Sequence, residues 1–411
     1  MQSTALASPL SGTNYRLDAN SMAGEPAWRV PDVARVDTTL GVSDRPVMFA
    51  YWGRRGALSQ LSLDLARVAA TRKEIRCTVS VSKRNEQFNK FRFLRDDLFA
   101  IDTCQRRLHA FLYYGYIRNL RDGLKQRLLR DNTRAIVSLM PHVWSPLVAP
   151  VIRRAGVRHV AVVHDADAHP GDRYGLINWW LLREAAAADH VITLSEAVAH
   201  RLVATRKIPA KKITVLFHPD LSYGARVRPG ENQGSPLRVL FLGRMLPYKG
   251  LGLFVDAVAR LRSDGVRLNV GVVGDGKIDP IIRAKLSALG AEIENRWIRH
   301  DEFNGILSRY DVVAASHTAA SQSGVIAAAF GAGLPVVATP VGGLVEQVIH
   351  NETGLIADAA TAPAFAEAIR MLAAYPALVA RLRHGIAARR EERSIERFFD
   401  DMCDISLRGT C

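Results

Sequence analysis

Two cations five residues apart follow an apolar segment in the second half of this 411-residue chain. Val239 to Leu242 predicts a buried strand that ends at Gly243, and Arg244 and Lys249 flank the turn that comes next. Positive charges at the carboxyl end of a parallel strand can bind a diphosphate and stabilise the charge that develops as it leaves. Two surface cations on an ordinary strand-to-helix loop would have the same spacing, so the pair alone leaves both interpretations open.

The pattern of strand, glycine turn and helix recurs downstream of these cations. Apolar strand segments and a small-residue helix are predicted at Val272–Gly276, Tyr310–Ser316, Ile326–Gly331 and Pro335–Thr339. Such repetition is typical of a doubly wound parallel sheet. The glycines lie where backbone amides approach phosphate oxygens at helix N-termini.

The first half of the chain predicts a second unit of the same class. Val47 to Tyr51 predicts a short buried strand, which is followed by a loop containing Gly56 and a helix from Leu58 to Ala70. Arg158 to Val163 predicts another strand, which ends at His164. A histidine at a strand end can orient hydroxyl groups of a ligand. A histidine hydrogen-bonded within its loop is the alternative.

Two further groups of polar residues suggest other chemistry but do not fit it. His164, Asp165, Asp167 and His169 are close in sequence, but their spacing in a strand-end loop is not typical of a metal site. Ser195 lacks the Gly-x-Ser-x-Gly pattern of a hydrolase nucleophile, so it is predicted to cap a helix. We therefore expect neither a metal site nor a serine hydrolase.

Length and composition predict two globular domains. A hydrophobic content of 48% and a charged content of 23% are those of globular proteins, and 411 residues exceed the usual size of one domain. Residues 1–44 lack a basic segment followed by an apolar core, so we expect a poorly ordered tail there. No apolar run approaches the roughly 20 residues of a membrane-spanning helix. Reduced thiols are predicted for Cys77, Cys104, Cys403 and Cys411, which show no Cys-x-x-Cys spacing.

The net charge of +15 is unevenly distributed. Residues 72–134 carry 16 Lys and Arg against 7 Asp and Glu, interleaved with aromatic residues, and His109 to Leu129 predicts a long basic helix with an apolar stripe. Cations interleaved with aromatics suit an anionic membrane surface or single-stranded nucleic acid. A basic helix on a domain core is the structural alternative. No nucleic-acid motif accompanies the charge, so the membrane is favoured over nucleic acid as a partner.

Residues 237–358 resemble the donor-binding half of retaining nucleotide-sugar glycosyltransferases with two Rossmann-like domains, the GT-B class, and specifically family 4. The matching residues are Gly243-Arg244, Lys249-Gly250, Val273-Gly274-Asp275-Gly276, Asp311-Val312, Ser316, Gly333 to Thr339, Val341-Gly342-Gly343, Glu346 and Thr353-Gly354-Leu355. A weaker resemblance extends over residues 46–225.

The resemblance implies an α/β fold with two doubly wound parallel-sheet domains that face a cleft. Residues 45–225 would form an acceptor- and membrane-facing domain, and residues 237–390 a nucleotide-sugar-binding domain. A linker at 226–236 would join them, and a last helix within 391–411 would cross back to the first domain.

The resemblance also implies the site. Catalytic roles fall on His164, Arg244 and Lys249, with no metal and no other cofactor. The donor-binding residues would be Gly56, Gly243, Arg244, Lys249, Gly274, Gln322, Ser323, Gly324 and Val325.

One departure from the family concerns the sugar and ribose contacts. The family usually carries two glutamates eight residues apart, and these positions are Ala320 and Ala328 here. The intervening Gln322-Ser323-Gly324 resembles the loop of a subset of bacterial polysaccharide transferases. The side chains of Gln322 and Ser323 can bind phosphate or sugar oxygens, and Gly324 lets the backbone come close.

The expected activity is transfer of a sugar, with retention, from a UDP- or GDP-sugar to a saccharide acceptor or one linked to polyprenyl diphosphate. The resemblance places this reaction in cell-surface or exopolysaccharide synthesis. We expect a cytoplasmic protein bound peripherally to the inner face of the cytoplasmic membrane through residues 72–134, with no nucleic-acid partner. The alternatives are a sugar-nucleotide- or membrane-binding protein that has lost catalysis, and a nucleotide-sugar epimerase.

Overall fold

The structure is a computed structural model that describes residues 46–103, 114–167, 175–224 and 235–408. Outside the described residues lie the predicted tail, most of the predicted linker, the start of the predicted basic helix, Cys104, His169 and Cys411.

The first half of the chain folds around a parallel sheet of seven strands in the order β3-β2-β1-β4-β5-β6-β7, as far as the chain is described. The strands are β1 (Val47–Tyr51), β2 (Cys77–Ser82), β3 (Leu98–Ile101), β4 (Ala135–Ser138), β5 (Arg158–Val163), β6 (His190–Thr193) and β7 (Ile213–Val215). The β1 strand pairs with both β2 and β4, so the strand order reverses there. In open parallel sheets, ligands bind at the carboxyl ends of the strands beside such a reversal.

Helices connect these strands and cover the sheet. They are α1 (Ala57–Thr71), α2 (Tyr114–Arg130), α3 (Ser145–Arg154), α4 (Gly175–Ala187) and α5 (Glu196–Arg206). The Ser195 side chain accepts a hydrogen bond from the Val198 amide at 3.3 Å and so caps α5. The predicted capping role of Ser195 is confirmed.

The second half repeats this arrangement with six described parallel strands in the order β10-β9-β8-β11-β12-β13. The strands are β8 (Leu237–Leu242), β9 (Leu268–Val273), β10 (Glu292–Glu294), β11 (Val312–Ala315), β12 (Val336–Ala338) and β13 (Gly354–Ile356). The helices are α6 (Leu251–Ser263), α7 (Pro280–Ala288), α8 (Phe303–Leu307), α9 (Gly324–Ala332), α10 (Leu344–Gln347), α11 (Ala362–Ala374), α12 (Pro376–Ala388) and α13 (Ile395–Leu407). The predicted α/β class with two doubly wound parallel sheets is confirmed. The strand order reverses between β8 and β11, which are neighbours.

The apolar stripe of the basic helix α2 is part of the domain core. Leu120, Leu124 and Leu128 are buried against strand residues such as Met48 and Ile136. The structural alternative therefore accounts for the stripe, while cations on the opposite side of α2 remain exposed. Among the described residues, no helix combines the length and the apolar character needed to cross a membrane.

The last helix, α13, completes the core of the first half. Phe398 and Phe399 are fully buried among residues of β1, β2 and α1. The Phe399 ring lies 5.4 Å from the ring of Phe49, and the Phe398 ring lies 5.6 Å from that of Phe217. The C-terminal segment therefore ties the two halves of the chain together.

Replacing Phe399 by alanine is expected to lower the free energy of unfolding by about 3–5 kcal/mol, because it removes a fully buried ring and leaves a cavity. Urea denaturation followed by circular dichroism measures this change. The control is Phe93→Ala, since the Phe93 side chain is 44% exposed and its removal should change stability little. Equal losses in the two variants would contradict the proposed role of α13 in the core.

Candidate active site

Arg244 and Lys249 are arranged around one tyrosine at the carboxyl end of β8. The Arg244 guanidinium donates a hydrogen bond to the Tyr248 hydroxyl at 3.2 Å. The Lys249 ammonium lies 5.0 Å from the centre of the same ring. Tyr248 is itself buried, so it brings the two side chains into one region. Two fixed cations side by side can hold a diphosphate.

The turn that contains Lys249 is hydrogen-bonded to the segment that follows β11. The Thr318 amide donates to Tyr248 O at 2.8 Å, and the Ser316 hydroxyl donates to Gly250 O at 3.0 Å. The Lys249 ammonium donates to His317 Nε2 at 2.8 Å. Sequence reasoning identified neither Tyr248 nor His317 as part of the site. Their positions in the sequence could have indicated them, because Tyr248 lies between the two cations and His317 directly follows a predicted strand.

His164 meets Gln322 across the cleft between the two sheets. The His164 ring nitrogen Nε2 lies 2.7 Å from Leu139 O, to which it must donate. Nδ1 is then the acceptor, and Gln322 Nε2 donates to it at 2.6 Å. Burial lowers the pKa of His164 below its usual range, so the imidazole is neutral at pH 7. These two hydrogen bonds set the tautomer of His164.

The Gln322-Ser323 loop presents polar atoms that the described protein does not satisfy. Gln322 Oε1 and Ser323 Oγ are buried and have no hydrogen-bond partner among the described residues. The backbone of the loop is held firmly, because the Ser323 amide donates to Gln347 Oε1 at 2.7 Å. Buried polar atoms without partners cost free energy, so a ligand that bonded to these two atoms would gain from satisfying them.

The predicted site glycines Gly243 and Gly274 lie against each other at the ends of β8 and β9. Gly274 has a φ of 144°, and a β-carbon there would fall 1.8 Å from Gly243 O. Val325 packs beside Gly243, since a β-carbon on Gly243 would lie 3.4 Å from Val325 Cγ2. This close packing of the two loops is by itself a reason for glycine at position 274.

The Gly56 amide already has a partner in this structure. It donates to Glu86 Oε1 at 2.8 Å, and Glu86 also accepts from Trp297 Nε1 at 3.0 Å and from His300 Nε2 at 2.7 Å. Burial raises the pKa of Glu86, but the hydrogen bonds from His300, Gly56 and Trp297 outweigh it and lower the pKa overall. A donor phosphate that binds the Gly56 amide must therefore displace the Glu86 carboxylate.

The two halves of the chain also contact each other at the start of α5. The Ser195 hydroxyl donates to Ser321 O at 2.8 Å. The Glu346 carboxylate accepts from the amides of Glu196 at 2.6 Å and Ala197 at 3.0 Å. Burial raises the pKa of Glu346, and the two amides partly oppose that shift. The Gln322-Ser323 loop is therefore held close to the first domain.

Gly324 and Ala57 lie close together where the two halves of the chain meet beside this loop. A β-carbon on Gly324 would lie 2.5 Å from Ala57 Cβ, which is less than a van der Waals contact allows. Gly324 begins α9 and Ala57 begins α1, so the first turns of two helices face each other across the cleft. The need for glycine at position 324 is therefore steric.

Gly324→Ala is expected to lower the rate of the sugar transfer predicted from the sequence about tenfold or more, with little loss of stability. The added methyl group pushes the starts of α9 and α1 slightly apart, and the rate of a reaction between oriented groups falls steeply with such displacements. Steady-state kinetics measures the change. The compensating double variant Gly324→Ala, Ala57→Gly should regain most of the activity, because it removes the facing methyl group. Failure of the second substitution to restore activity would show that the contact is not the cause.

The acidic and histidine residues near His164 do not converge on one point. Asp167 is paired with Arg201 at 2.8 Å and with Arg206 at 3.1 Å, while His164 bonds to Leu139 O and Gln322. Among the described residues there is no group of three or more His, Cys, Asp or Glu that could hold a metal ion. His169 lies outside the described residues.

Ala320 and Ala328, at the two positions where the family that the chain resembles usually has glutamate, differ in their surroundings. Ala328 is 1% exposed inside α9, whereas Ala320 is partly exposed beside the Gly342-Gly343 turn. A side chain at position 328 therefore faces the interior of the domain. Polar contacts in this part of the cleft come instead from the Gln322-Ser323 loop.

Two family models match the chain, one in each half. Residues 236–374 match the model for glycosyl transferases group 1. Residues 68–219 match the model for glycosyltransferase family 4. The matched segments contain Arg244, Lys249 and the Gln322-Ser323 loop on one side of the cleft and His164 on the other.

Similar proteins include characterised transferases and solved structures. The chain is 27% identical to 2-deoxystreptamine glucosyltransferase of Streptomyces kanamyceticus, over 61% of this chain and 70% of that enzyme. It is 27% identical to a GDP-mannose-dependent phosphatidylinositol monomannoside mannosyltransferase of Mycolicibacterium smegmatis, over 59% and 68%. The solved structure of Anabaena HepE with UDP and glucose superposes with a TM-score of 0.67 at 17% identity, over 88% of this chain and 99% of HepE. This last likeness concerns the fold, which is the GT-B arrangement.

Proposed function

We propose that the chain is a glycosyltransferase of family 4 and that it moves a sugar from a UDP- or GDP-sugar to a saccharide acceptor with retention of configuration. The donor nucleotide binds the second domain, and the acceptor binds the first. The observation that carries the proposal is the convergence of Arg244 and Lys249 around Tyr248.

The proposed chemistry rests on charge at the departing diphosphate. Cleavage of the bond between the sugar and the phosphate oxygen leaves both bonding electrons on the diphosphate, and Arg244 and Lys249 stabilise the resulting charge. Removal of one preorganised donor to a developing anion typically costs about 3 kcal/mol of barrier. A bound metal ion is not required when two cations serve this purpose.

The proposed sugar site lies between His164 and the Gln322-Ser323 loop. A sugar hydroxyl can replace Gln322 as the donor to His164 Nδ1, and this exchange releases the Gln322 amide for another sugar or phosphate oxygen. Gln322 Oε1 and Ser323 Oγ, both buried without partners among the described residues, are further contacts for the donor. Gly243, Gly274 and Val325 line this proposed site.

The proposed acceptor is a saccharide carried on a lipid, as in exopolysaccharide synthesis at the inner face of the cytoplasmic membrane. Exposed cations on α2, such as Arg118, Lys125 and Arg130, are suited to anionic lipid headgroups. One relative is named for its action on phosphatidylinositol monomannoside, which is a lipid acceptor. Residues 72–134 are the membrane-facing part in this proposal.

The test uses the purified full chain with a panel of UDP- and GDP-sugars and detergent-extracted lipid acceptors, with products resolved by mass spectrometry. A glycosylated lipid or saccharide, formed with one donor and absent from a Lys249→Met control, is the expected result. Conversion of a donor into another sugar nucleotide without acceptor would instead indicate an epimerase. Nucleotide binding with no product in any combination would indicate a binding protein that has lost catalysis, consistent with Ala320 and Ala328.

A further inference from the structure

A histidine outside the predicted site lies in direct contact with one of its cations. His317 directly follows β11 and is 3% exposed. Its Nε2 atom lies 2.8 Å from the Lys249 ammonium. An ammonium group can only donate hydrogen bonds. His317 Nε2 is therefore the acceptor and carries no proton.

The His317 ring is set in place from several sides. Thr339 Oγ1 donates to His317 O at 2.5 Å, which fixes the backbone between β11 and the end of β12. The ring is tilted against the Tyr248 ring, with a centroid distance of 6.4 Å and an interplanar angle of 64°. Tyr248 also contacts Arg244, so one compact group joins both cations and the histidine.

The backbone beside Lys249 is held in place by close packing, as the backbone of His317 is held by its hydrogen bond from Thr339. The residue after Lys249, Gly250, has a φ of 70°, and a β-carbon there would fall 1.8 Å from Ser316 O. The turn therefore lies directly on the residue that precedes His317. With both backbones held, the hydrogen bond between the side chains restricts the direction of the four-carbon lysine stem.

We propose that His317 is the positioning residue that holds the Lys249 ammonium ready for the donor diphosphate. A lysine side chain loses rotamer entropy when it is ordered, so fixing it before the ligand arrives strengthens binding. His317 acts through Lys249 and does not touch the ligand. The inference rests on the proposed function, since it assigns Lys249 to a diphosphate.

The experiment compares two replacements of His317 by titration calorimetry. His317→Leu fills the space but removes the acceptor, whereas His317→Gln keeps an acceptor oxygen at a similar reach and cannot become a cation. Each is titrated with UDP, UMP, GDP and GMP. We expect the leucine variant to bind the diphosphate that the wild type prefers about tenfold more weakly, with a smaller change for the monophosphate, and the glutamine variant to regain most of the loss.

A double-mutant cycle separates positioning from general damage. In a Lys249→Met background, His317→Leu should weaken diphosphate binding no further, because the group it positions is absent. His384→Leu, at an exposed histidine on α12, is the matched control. Thermal unfolding is recorded for each variant, and His317→Met replaces the leucine variant if that one does not fold.

The outcomes distinguish the inference from the proposed function. Equal losses with leucine and glutamine, or additive losses with Lys249→Met, would overturn the role of His317 while leaving sugar transfer intact. A wild-type protein that binds neither UDP nor GDP would overturn the proposed function and this inference with it. Binding without transfer would overturn the transferase proposal alone, because the calorimetric cycle reports on His317 independently of turnover.

Discussion

Lys249→Met is expected to lower the rate of sugar transfer at least about 100-fold while leaving the fold unchanged. Methionine keeps the length and apolar stem of lysine but removes the charge at the departing diphosphate. A loss of about 3 kcal/mol of barrier stabilisation corresponds to this factor. The effect should fall on kcat as well as on KM, because the charge on the diphosphate increases in the transition state. Initial rates over a range of donor concentrations measure both.

The matched control for this prediction is Lys285→Met. Lys285 lies on the same domain in an exposed pair with Asp256, at 2.7 Å, and such pairs contribute little to stability. Its replacement should leave kcat and KM within about twofold of the wild type. Turnover by Lys249→Met at the rate of this control would remove Lys249 from the mechanism.

His164→Leu is expected to lower kcat about 100-fold, with a smaller effect on the affinity for the free nucleoside diphosphate. The ring contributes hydrogen bonding at the reacting sugar, and its loss also leaves Leu139 O and the Gln322 amide without their partner. Hydrogen bonds lost in a buried site cost about 1–3 kcal/mol each. Single-turnover kinetics with saturating donor, together with calorimetry of UDP and GDP, separates the chemical step from nucleotide binding.

The contact between His164 and Gln322 predicts that the two positions are energetically coupled. Gln322→Leu should also lower kcat, and the double variant His164→Leu, Gln322→Leu should lose less than the product of the two single effects. Asn269→Leu, at an exposed amide side chain on β9, serves as the control for loss of an amide. Independent, multiplicative losses would show that the hydrogen bond observed across the cleft has no part in transfer.

The fold could be predicted from the sequence because its determinants are local. Val47–Tyr51 is an apolar segment and Arg158–Val163 ends in one, Val160 to Val163, as buried parallel strands do, and the structure gives both strands the predicted bounds. Arg244 and Lys249 could be placed at a strand end because β8 stops at Leu242, directly before Gly243. Short-range patterns were sufficient for these elements.

Individual side-chain contacts between distant segments could not be predicted, although the resemblance implied that the last helix crosses back to the first domain. The bond between Lys249 and His317 joins residues 68 positions apart, and that between Gln322 and His164 spans 158 positions. Glu86 and the Gly324–Ala57 approach also depend on how closely the two domains meet, which no local pattern encodes. The sequence analysis assigned Gly324 to donor binding, and the structure adds a packing reason for glycine there, the approach of Ala57.

The basic helix α2 shows how one pattern supports two structural interpretations. An apolar stripe with exposed cations fits a helix on a membrane surface and equally a helix on a domain core. Leu120, Leu124 and Leu128 are buried in the core, so the stripe is used within the domain. The three buried leucines are therefore not available for membrane contact, and the proposed contact of α2 relies on its exposed residues.

The most direct test of the account is a crystal structure of the full chain with bound UDP or GDP, whichever raises the unfolding temperature more. The account predicts the β-phosphate oxygens within hydrogen-bonding distance of both the Arg244 guanidinium and the Lys249 ammonium, in the cleft that also contains His164. A diphosphate bound elsewhere, with these two side chains directed away from it, would contradict the account.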